Sequence, residues 1–496
     1  MRILSLLILA LTATTTAPAS AEWQRATSPH FIIYADESPA KLKAFAERLE
    51  RFDKGVRIAR AMKDPPIGDG NRLTVFVVQG AVDVRILQPG TGGSTLGFYM
   101  PRYWGSVAVV PRQLPFRSTS TPETIFFHEY AHHLMFSDFG TPIPAWLVEG
   151  FAEFMSTADI HPDGSVGLGG GAVHRAGTLR SPRQKIPLTV LLGGERLRDG
   201  FERASLYARG WLLAHYLTFD PGRRGQIEAY LAAIAGGQSQ IDAARSVFGD
   251  LAKLDQELDV YLKADKFPYL TIPAGQVTIG AVTVEPLGAS AREYIPLMMK
   301  VQIGVEKAQR ARLATDARRL AAASPADPHM AMILAAAELY QEDFVAADAA
   351  AGRAIALNPK SAEALLLKGK AVIGRAKAGD RAATFTNARG WFNRANRLDP
   401  ENPEALVLFY RSFVEERARP SANAIAALHY ASDLAPHDMR LRLESSRRYL
   451  ADGKPALARA RLVALAYNPH GGPLAQEAQA LIGQIDSGRT PAAAAR

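Results

Sequence analysis

Pro325, Pro359, Pro400, Pro436 and Pro469 stand 34, 41, 36 and 33 residues apart in the C-terminal part of this 496-residue chain. Each sits in a related segment: ASPADPHMAMILA, LNPKSAEALLLKG, LDPENPEALVLFY, LAPHDMRLRLESS and YNPHGGPLAQEAQ. The intervening sequence is rich in Ala, Leu and Arg with helical spacing, and a period near 34 is the length of two helices and their turns. One such pair cannot bury its own apolar face, so the pairs must stack on their neighbours. An all-α solenoid is therefore expected over residues 289–486, with a disordered tail at 487–496. The 41-residue interval implies an insertion near RAKAGDRAATFTN, residues 375–387.

Proline after one helix and small residues inside the next resemble the tetratricopeptide repeat. The resemblance implies a concave surface that receives a protein substrate or a protein partner.

The rest of the chain follows a different pattern. MRILSLLILALTATTTAPASA has a basic start, an apolar run from Ile3 to Leu11, and Ala19 and Ala21 at A-x-A positions. Residues 1–21 thus read as a secretory signal peptide, too short in its apolar run to span a bilayer. No other stretch approaches transmembrane length. With no cysteine in the chain there are no disulfides and no lipidated cysteine, and export to a bacterial periplasm is the expected localisation. The net charge of +9 comes from 58 basic and 49 acidic residues spread without a dense block, which implies a solvated surface and no nucleic-acid partner.

Residues 22–266 read as an α+β domain. HFIIYAD (30–36) and RLTVFVV (72–78) have strand character, and GFYM (97–100) and SVAVVP (106–111) are expected to pair. Between 38 and 62 the apolar spacing predicts a helix, with Ser38 and Pro39 at its start. Gly90, Gly92 and Gly93 mark a loop, and 201–264 returns to helical spacing. The proline-bounded stretch FPYLTIPAGQVTIGAVTVEPLG (267–288) reads as a β-rich linker between two unlike halves.

The chemistry concentrates in FFHEYAHHLMFSDFGTPIPAWLVEGFAEFM (126–155), two helices broken by GTPIP. Charge in so apolar a segment needs a partner or an ion. His128 and His132, four apart on a helix, share one face and can converge on one metal ion. Glu129 is rotated about 100° from His128, which leaves its carboxylate beside that ion as a general base. Thr121, Pro122 and Glu123 supply the helix start. Catalytic zinc takes three protein ligands. In the metzincin pattern the third is a histidine ten residues after the first; here Asp138 occupies that place and remains an alternative ligand. The stronger candidate is Glu149, flanked by Trp146, Leu147, Phe151 and Phe154, with Glu153 one turn later to accept the free N–H of a ligand histidine.

HEYAHH followed by WLVEGFAEF resembles the gluzincin metallopeptidases, the group of thermolysin and the neutral aminopeptidases, and is similar to their peptidase-MA-like bacterial members. The resemblance covers about residues 25–265. It implies a thermolysin/aminopeptidase-like fold, a Zn2+ cofactor held by His128, His132 and Glu149, Glu129 as catalytic base, and Glu153 as support. SLYARGWLLAHYL (205–217) is similar to the helix whose tyrosine stabilises the oxyanion in gluzincin aminopeptidases, which implies that role for Tyr207. Val148 stands where many relatives have asparagine, and the interval between the two motifs is short. Residues 89–100 do not match the glycine-rich aminopeptidase motif, so hydrolysis of internal peptide bonds is expected.

His133 faces elsewhere on the helix and is expected to be exposed or to support the site. His161 and His174 fall in the Gly-rich HPDGSVGLGGGAVH, read as a surface loop, with a loop or hairpin over the cleft as the alternative. No Ser/His/Asp arrangement or phosphate loop stands out. The competing function is an inactive periplasmic scaffold that works through its repeats.

Overall fold

The computed structural model describes residues 22–88, 96–114, 118–138, 143–193, 200–467 and 472–488, without the side chains of 136–138. The signal-peptide reading of 1–21, the loop at Gly90, Gly92 and Gly93, residues 140–142 of GTPIP, Pro469, most of the expected tail and the side chain of Asp138 lie outside the described residues.

The N-terminal half is built on a six-stranded mixed sheet. Its strands are β1 (Trp23–Thr27), β2 (Phe31–Asp36), β3 (Leu73–Gly80), β4 (Phe98–Met100), β5 (Val107–Gln113) and, from much later in the chain, β9 (Thr283–Pro286). They lie in the order β4-β5-β3-β2-β1-β9. β2, β3 and β5 run parallel, and β4 pairs antiparallel with β5 as its sequence suggests. Helix α1 (Pro39–Arg60) links β2 to β3, and α2 (Ala81–Leu87) follows β3. Ser38 stands at the α1 N-cap in extended conformation, but its side chain makes no capping bond.

The unbroken apolar runs of β3 and β5 have a physical cause, since both faces of the sheet are covered. Val75, Ala108 and Val110 pack toward α1 and the metal-motif helix α3 (Pro122–Asp138). Phe76, Val78, Val107 and Val109 point the other way, into a core shared with the C-terminal helices.

After α3 come α4 (Ala145–Ser156), β6 (Asp159–Ile160), β7 (Val166–Leu168), α5 (Ala176–Arg180), α6 (Leu188–Leu191) and α7 (Gly200–Phe219). Helices α8 (Gln226–Ala235), α9 (Gln240–Phe248) and α10 (Leu251–Tyr261) complete the half. Strand β8 (Leu270–Ile272) joins β6 and β7 in a second, three-stranded sheet, while β9 pairs with β1 along the edge of the first. The stretch 267–288 is thus not a linker. Leu270–Ile272 and Thr283–Pro286 pair inside the two sheets of the N-terminal half.

The C-terminal half is wholly helical: α11 (Ala291–Ile303), α12 (Arg310–Ala323), α13 (Pro328–Gln341), α14 (Phe344–Leu357), α15 (Ala362–Lys377), α16 (Phe385–Leu398), α17 (Pro403–Glu415), α18 (Ala422–Leu434), α19 (Met439–Ala451), α20 (Pro455–Ala466) and α21 (Gly472–Asp486). Pro325, Pro359, Pro400 and Pro436 fall in the turns that open successive pairs. Asp327, Asp343, Ser361, Thr384, Asn402, Ser421 and Asp438 accept backbone N–H groups at helix N-termini, satisfying donors that a helix leaves unpaired. The insertion is the long connection between α15 and α16.

The helical repeats do not stand apart. Gly70 N–H donates to Asp399 Oδ2 at 2.9 Å, and the Asn71 amide donates to Leu434 O at 2.7 Å. Tyr103 N–H donates to Asp438 Oδ2 at 3.0 Å, and Arg411 donates to the Tyr103 hydroxyl at 2.7 Å. Among the described residues no helix is long and apolar enough to cross a membrane.

Candidate metal centre

Helix α3 starts at Thr121, whose Oγ1 accepts the Thr124 N–H at 3.0 Å. Its apolar residues, among them Phe126, Phe127, Tyr130, Ala131 and Leu134, are buried in the N-terminal core. That burial fixes its rotation, and His128 and His132 are left on the face toward α4. Their rings meet edge to face, with the two Nε2 atoms 3.2 Å apart. Glu149 Oε2 lies 3.5 Å from His128 Nε2 and 3.6 Å from His132 Nε2. Donor atoms bound tetrahedrally at about 2.0–2.1 Å stand about 3.3–3.4 Å apart. The three side chains are therefore spaced as ligands of a single zinc-sized ion, and the two nitrogens and one carboxylate oxygen suit zinc.

Around them lies a charged support. Glu153, fully buried, meets His128 Nδ1 at 3.1 Å, His174 Nε2 at 2.6 Å and Arg175 Nε at 2.9 Å, with a second contact from the Arg175 guanidinium. Burial alone would raise the Glu153 carboxyl pKa. The hydrogen bonds from His128, His174 and Arg175, with the charge on His128, outweigh it and hold the group well below the usual carboxylate range. For His128 burial opposes the charge, yet the bonds to Glu149 and Glu153 prevail and lift its pKa to about 10.

Two glycines bring a third helix to the site. A Cβ on Gly150 of α4 would stand 2.3 Å from the Gly210 carbonyl oxygen, and one on Gly210 of α7 would stand 2.6 Å from the Trp146 carbonyl oxygen. The helices thus cross backbone against backbone. Tyr207, one turn before Gly210, is carried to 5.7 Å from the His128 ring, with the Arg175 guanidinium 5.0 Å from its own ring centroid. Burial, then the charges of Glu149 and Glu129, push the Tyr207 pKa up, so the side chain is a phenol and a hydrogen-bond donor at neutral pH. Glu129 is half-buried beside this group.

Six residues singled out from sequence, His128, Glu129, His132, Glu149, Glu153 and Tyr207, therefore share one region. The structure narrows two expectations. Of the two readings of the glycine-rich stretch, His174 follows the loop over the cleft rather than the surface loop: with its neighbour Arg175 it is folded onto Glu153. The local signal, a His-Arg pair after a run of glycines, has no fixed spacing from the metal motifs, and only the folded chain brings it there. His133 is not exposed, and it stands away from the triangle of His128, His132 and Glu149. It turns to the opposite side of α3, where Nδ1 meets the Tyr99 hydroxyl at 2.6 Å. His161 lies apart, 3.6 Å from Asp159.

A second group of possible ligands, His30, Asp53 and Asp64, is closed by its own ion pairs. Lys54 reaches Asp64 at 2.7 Å, Arg57 reaches Asp53 at 2.7 Å, and the Tyr130 hydroxyl donates to Asp53 at 2.8 Å. Its acidic charge is already met by protein cations.

No family model matches this chain, and no curated protein matches it. Among solved structures it is similar to a thermophilic TPR protein of Thermus thermophilus, at TM-score 0.32 and 19% identity, over 38% of this chain and 98% of that one. It is also similar to the MamA RS-1 ArsTM double mutant, at TM-score 0.27 and 13% identity, over 41% of this chain and 98% of that one. At these scores the likeness adds nothing to the helical repeat that the chain's own packing displays.

Proposed function

We propose that this protein is a zinc-dependent metallopeptidase that cleaves internal peptide bonds of an exported protein or peptide substrate, with His128, His132 and Glu149 as ligands. The observation that carries this reading is the near-equilateral triangle of two imidazole nitrogens and one carboxylate oxygen in a buried setting. When bound, zinc would supply Lewis acidity toward the scissile carbonyl and make water a nucleophile near neutral pH. Glu129 takes the proton from that water on its carboxylate and returns it to the leaving amine. Tyr207 donates its phenolic hydrogen to the oxygen that gains charge, an interaction that strengthens in the transition state. Glu153 accepts the Nδ1–H of His128 and so leaves Nε2 as the ligand atom. Export rests on the signal-like residues 1–21.

The competing reading, an inactive scaffold acting through tetratricopeptide-type repeats, needs a surface open to partners. Part of that surface, from α16 to α19, meets Gly70, Asn71 and Tyr103 of the same chain.

The direct test measures zinc per chain in protein prepared without chelator, together with cleavage of a peptide library. One zinc, cleavage lost to chelator and cleavage restored by zinc are expected; absence of zinc from the folded protein sinks the proposal.

Zinc binding should also depend on pH. His128 carries a proton in the metal-free site up to about pH 10, and a protonated imidazole cannot ligate. Affinity should therefore rise with pH up to that value, by about tenfold per unit for this one proton, and about one proton should leave on binding at neutral pH. Calorimetry in buffers of different ionisation enthalpy reads that proton directly. Heat independent of the buffer would contradict the charged state of His128.

A further inference from the structure

The far side of α3 meets the repeats at one corner, the turn between α18 and α19. His437 and Asp438 in this turn are 3% and 4% exposed, and buried polar groups must find partners. Both find them across the junction between the two halves. His437 Nε2 lies 3.0 Å from Ser106 Oγ, at the start of β5, and Asp438 accepts the Tyr103 N–H while also capping α19 through the Leu441 N–H at 2.9 Å. The His437 ring rests on the ring of His133, with centroids 4.7 Å apart. His133 is in turn stacked on Tyr130 and bonded to Tyr99 of β4. Since β4 pairs with β5, the contacts close a loop through Tyr99, His133, His437 and Ser106.

His133 adjoins the ligand His132 and projects from a different side of the helix. Beside the apolar burial of α3, the contacts of His133 with Tyr99 and His437 add a polar hold on the helix's rotation about its axis, and that rotation decides whether His128 and His132 aim at Glu149. Metal sites tolerate errors of only about 0.5 Å in such placement.

We infer that the helical repeats brace the metal-bearing helix, with His437 as a positioning residue that holds α3 through His133. The inference rests on the zinc reading of His128, His132 and Glu149. It makes the C-terminal half part of the site rather than an appended recruiting arm.

The test uses the full chain as wild type, His437→Ala, His437→Gln and Asn71→Ala, compared by zinc affinity in chelator competition and by the visible spectrum of the cobalt-substituted protein. His437→Ala should weaken zinc by about 10–100-fold, the usual cost of losing a residue that orients a ligand, and should alter the cobalt spectrum. His437→Gln, whose amide can still meet Ser106, should recover part of the affinity. Asn71→Ala cuts the bond to Leu434 at the same junction and should change neither reading. Wild-type affinity and spectrum in folded His437→Ala overturn the brace. If His437→Ala does not fold, Ser106→Ala, a smaller cut of the same contact, carries the comparison. If wild type binds neither metal, the zinc reading has failed and hydrogen exchange decides the brace by itself. His437→Ala should then speed exchange of the α3 amides around His133 by about tenfold relative to Asn71→Ala. Equal rates overturn it.

Discussion

Glu129→Gln is expected to reduce peptide hydrolysis by about 10²–10⁴-fold, the usual contribution of a positioned general base, while the protein keeps its zinc. The amide is nearly the shape of the carboxylate but cannot accept a proton at neutral pH. Glu129 is not among the three donors of the triangle, so its change leaves the ligand set intact. The loss should therefore appear in kcat, with zinc content and thermal stability close to wild type. A variant that hydrolyses peptides at the wild-type rate removes Glu129 from the mechanism. One that loses zinc would make Glu129 a ligand and overturn the triangle.

Gly150→Ala tests the architecture rather than the chemistry, and its sign is diagnostic. Alanine inside a helix ordinarily stabilises by about 0.5–1 kcal/mol over glycine. Here the added carbon would stand 2.3 Å from the Gly210 carbonyl oxygen, backbone that cannot swing aside. Overpacking of this kind typically costs about 1–3 kcal/mol, which exceeds the helix gain. The variant should melt at lower temperature, and because α7 must move away and carry Tyr207 with it, residual activity should fall further than stability alone explains. Gly390→Ala is the control: Gly390 lies inside α16 with nothing within 4 Å of the new carbon, so that change should stabilise. If both variants gain stability in unfolding experiments, the close crossing of α4 and α7 is wrong.

Much of the site was legible because its parts obey local periodicities. His128 and His132 are one helical turn apart, as are Glu149 and Glu153, and each pair shares a face by geometry alone. A local rule also marked the start of α3: Thr121 is a capping residue whose side-chain oxygen meets the N–H group expected of it. Ser38 stands at such a start without making the bond, since position does not by itself set a side-chain rotamer. His174 and Arg175 were not legible. They reach Glu153 from a loop about twenty residues away, and no spacing rule connects a glycine-rich loop to a helix face.

The stretch 267–288 shows the same limit at the scale of the fold. Its β-branched residues were correctly read as strand, but strand pairing is a choice of partner made over long separations. β9 found β1 more than 250 residues earlier, and that placed it within the first half.

Sequence by itself therefore determined what each half is made of: an α+β half with three imidazoles and four carboxylates in an apolar segment, and a helical half with a period near 34. Those are properties of neighbours along the chain, where helix and strand periods act. Only the tertiary structure decided that the halves share a core, that Gly150 and Gly210 bring Tyr207 to His128, and that His437 of the repeats lies against His133 of the helix carrying His128 and His132. Those contacts depend on which apolar face covers which, and no periodicity encodes that choice.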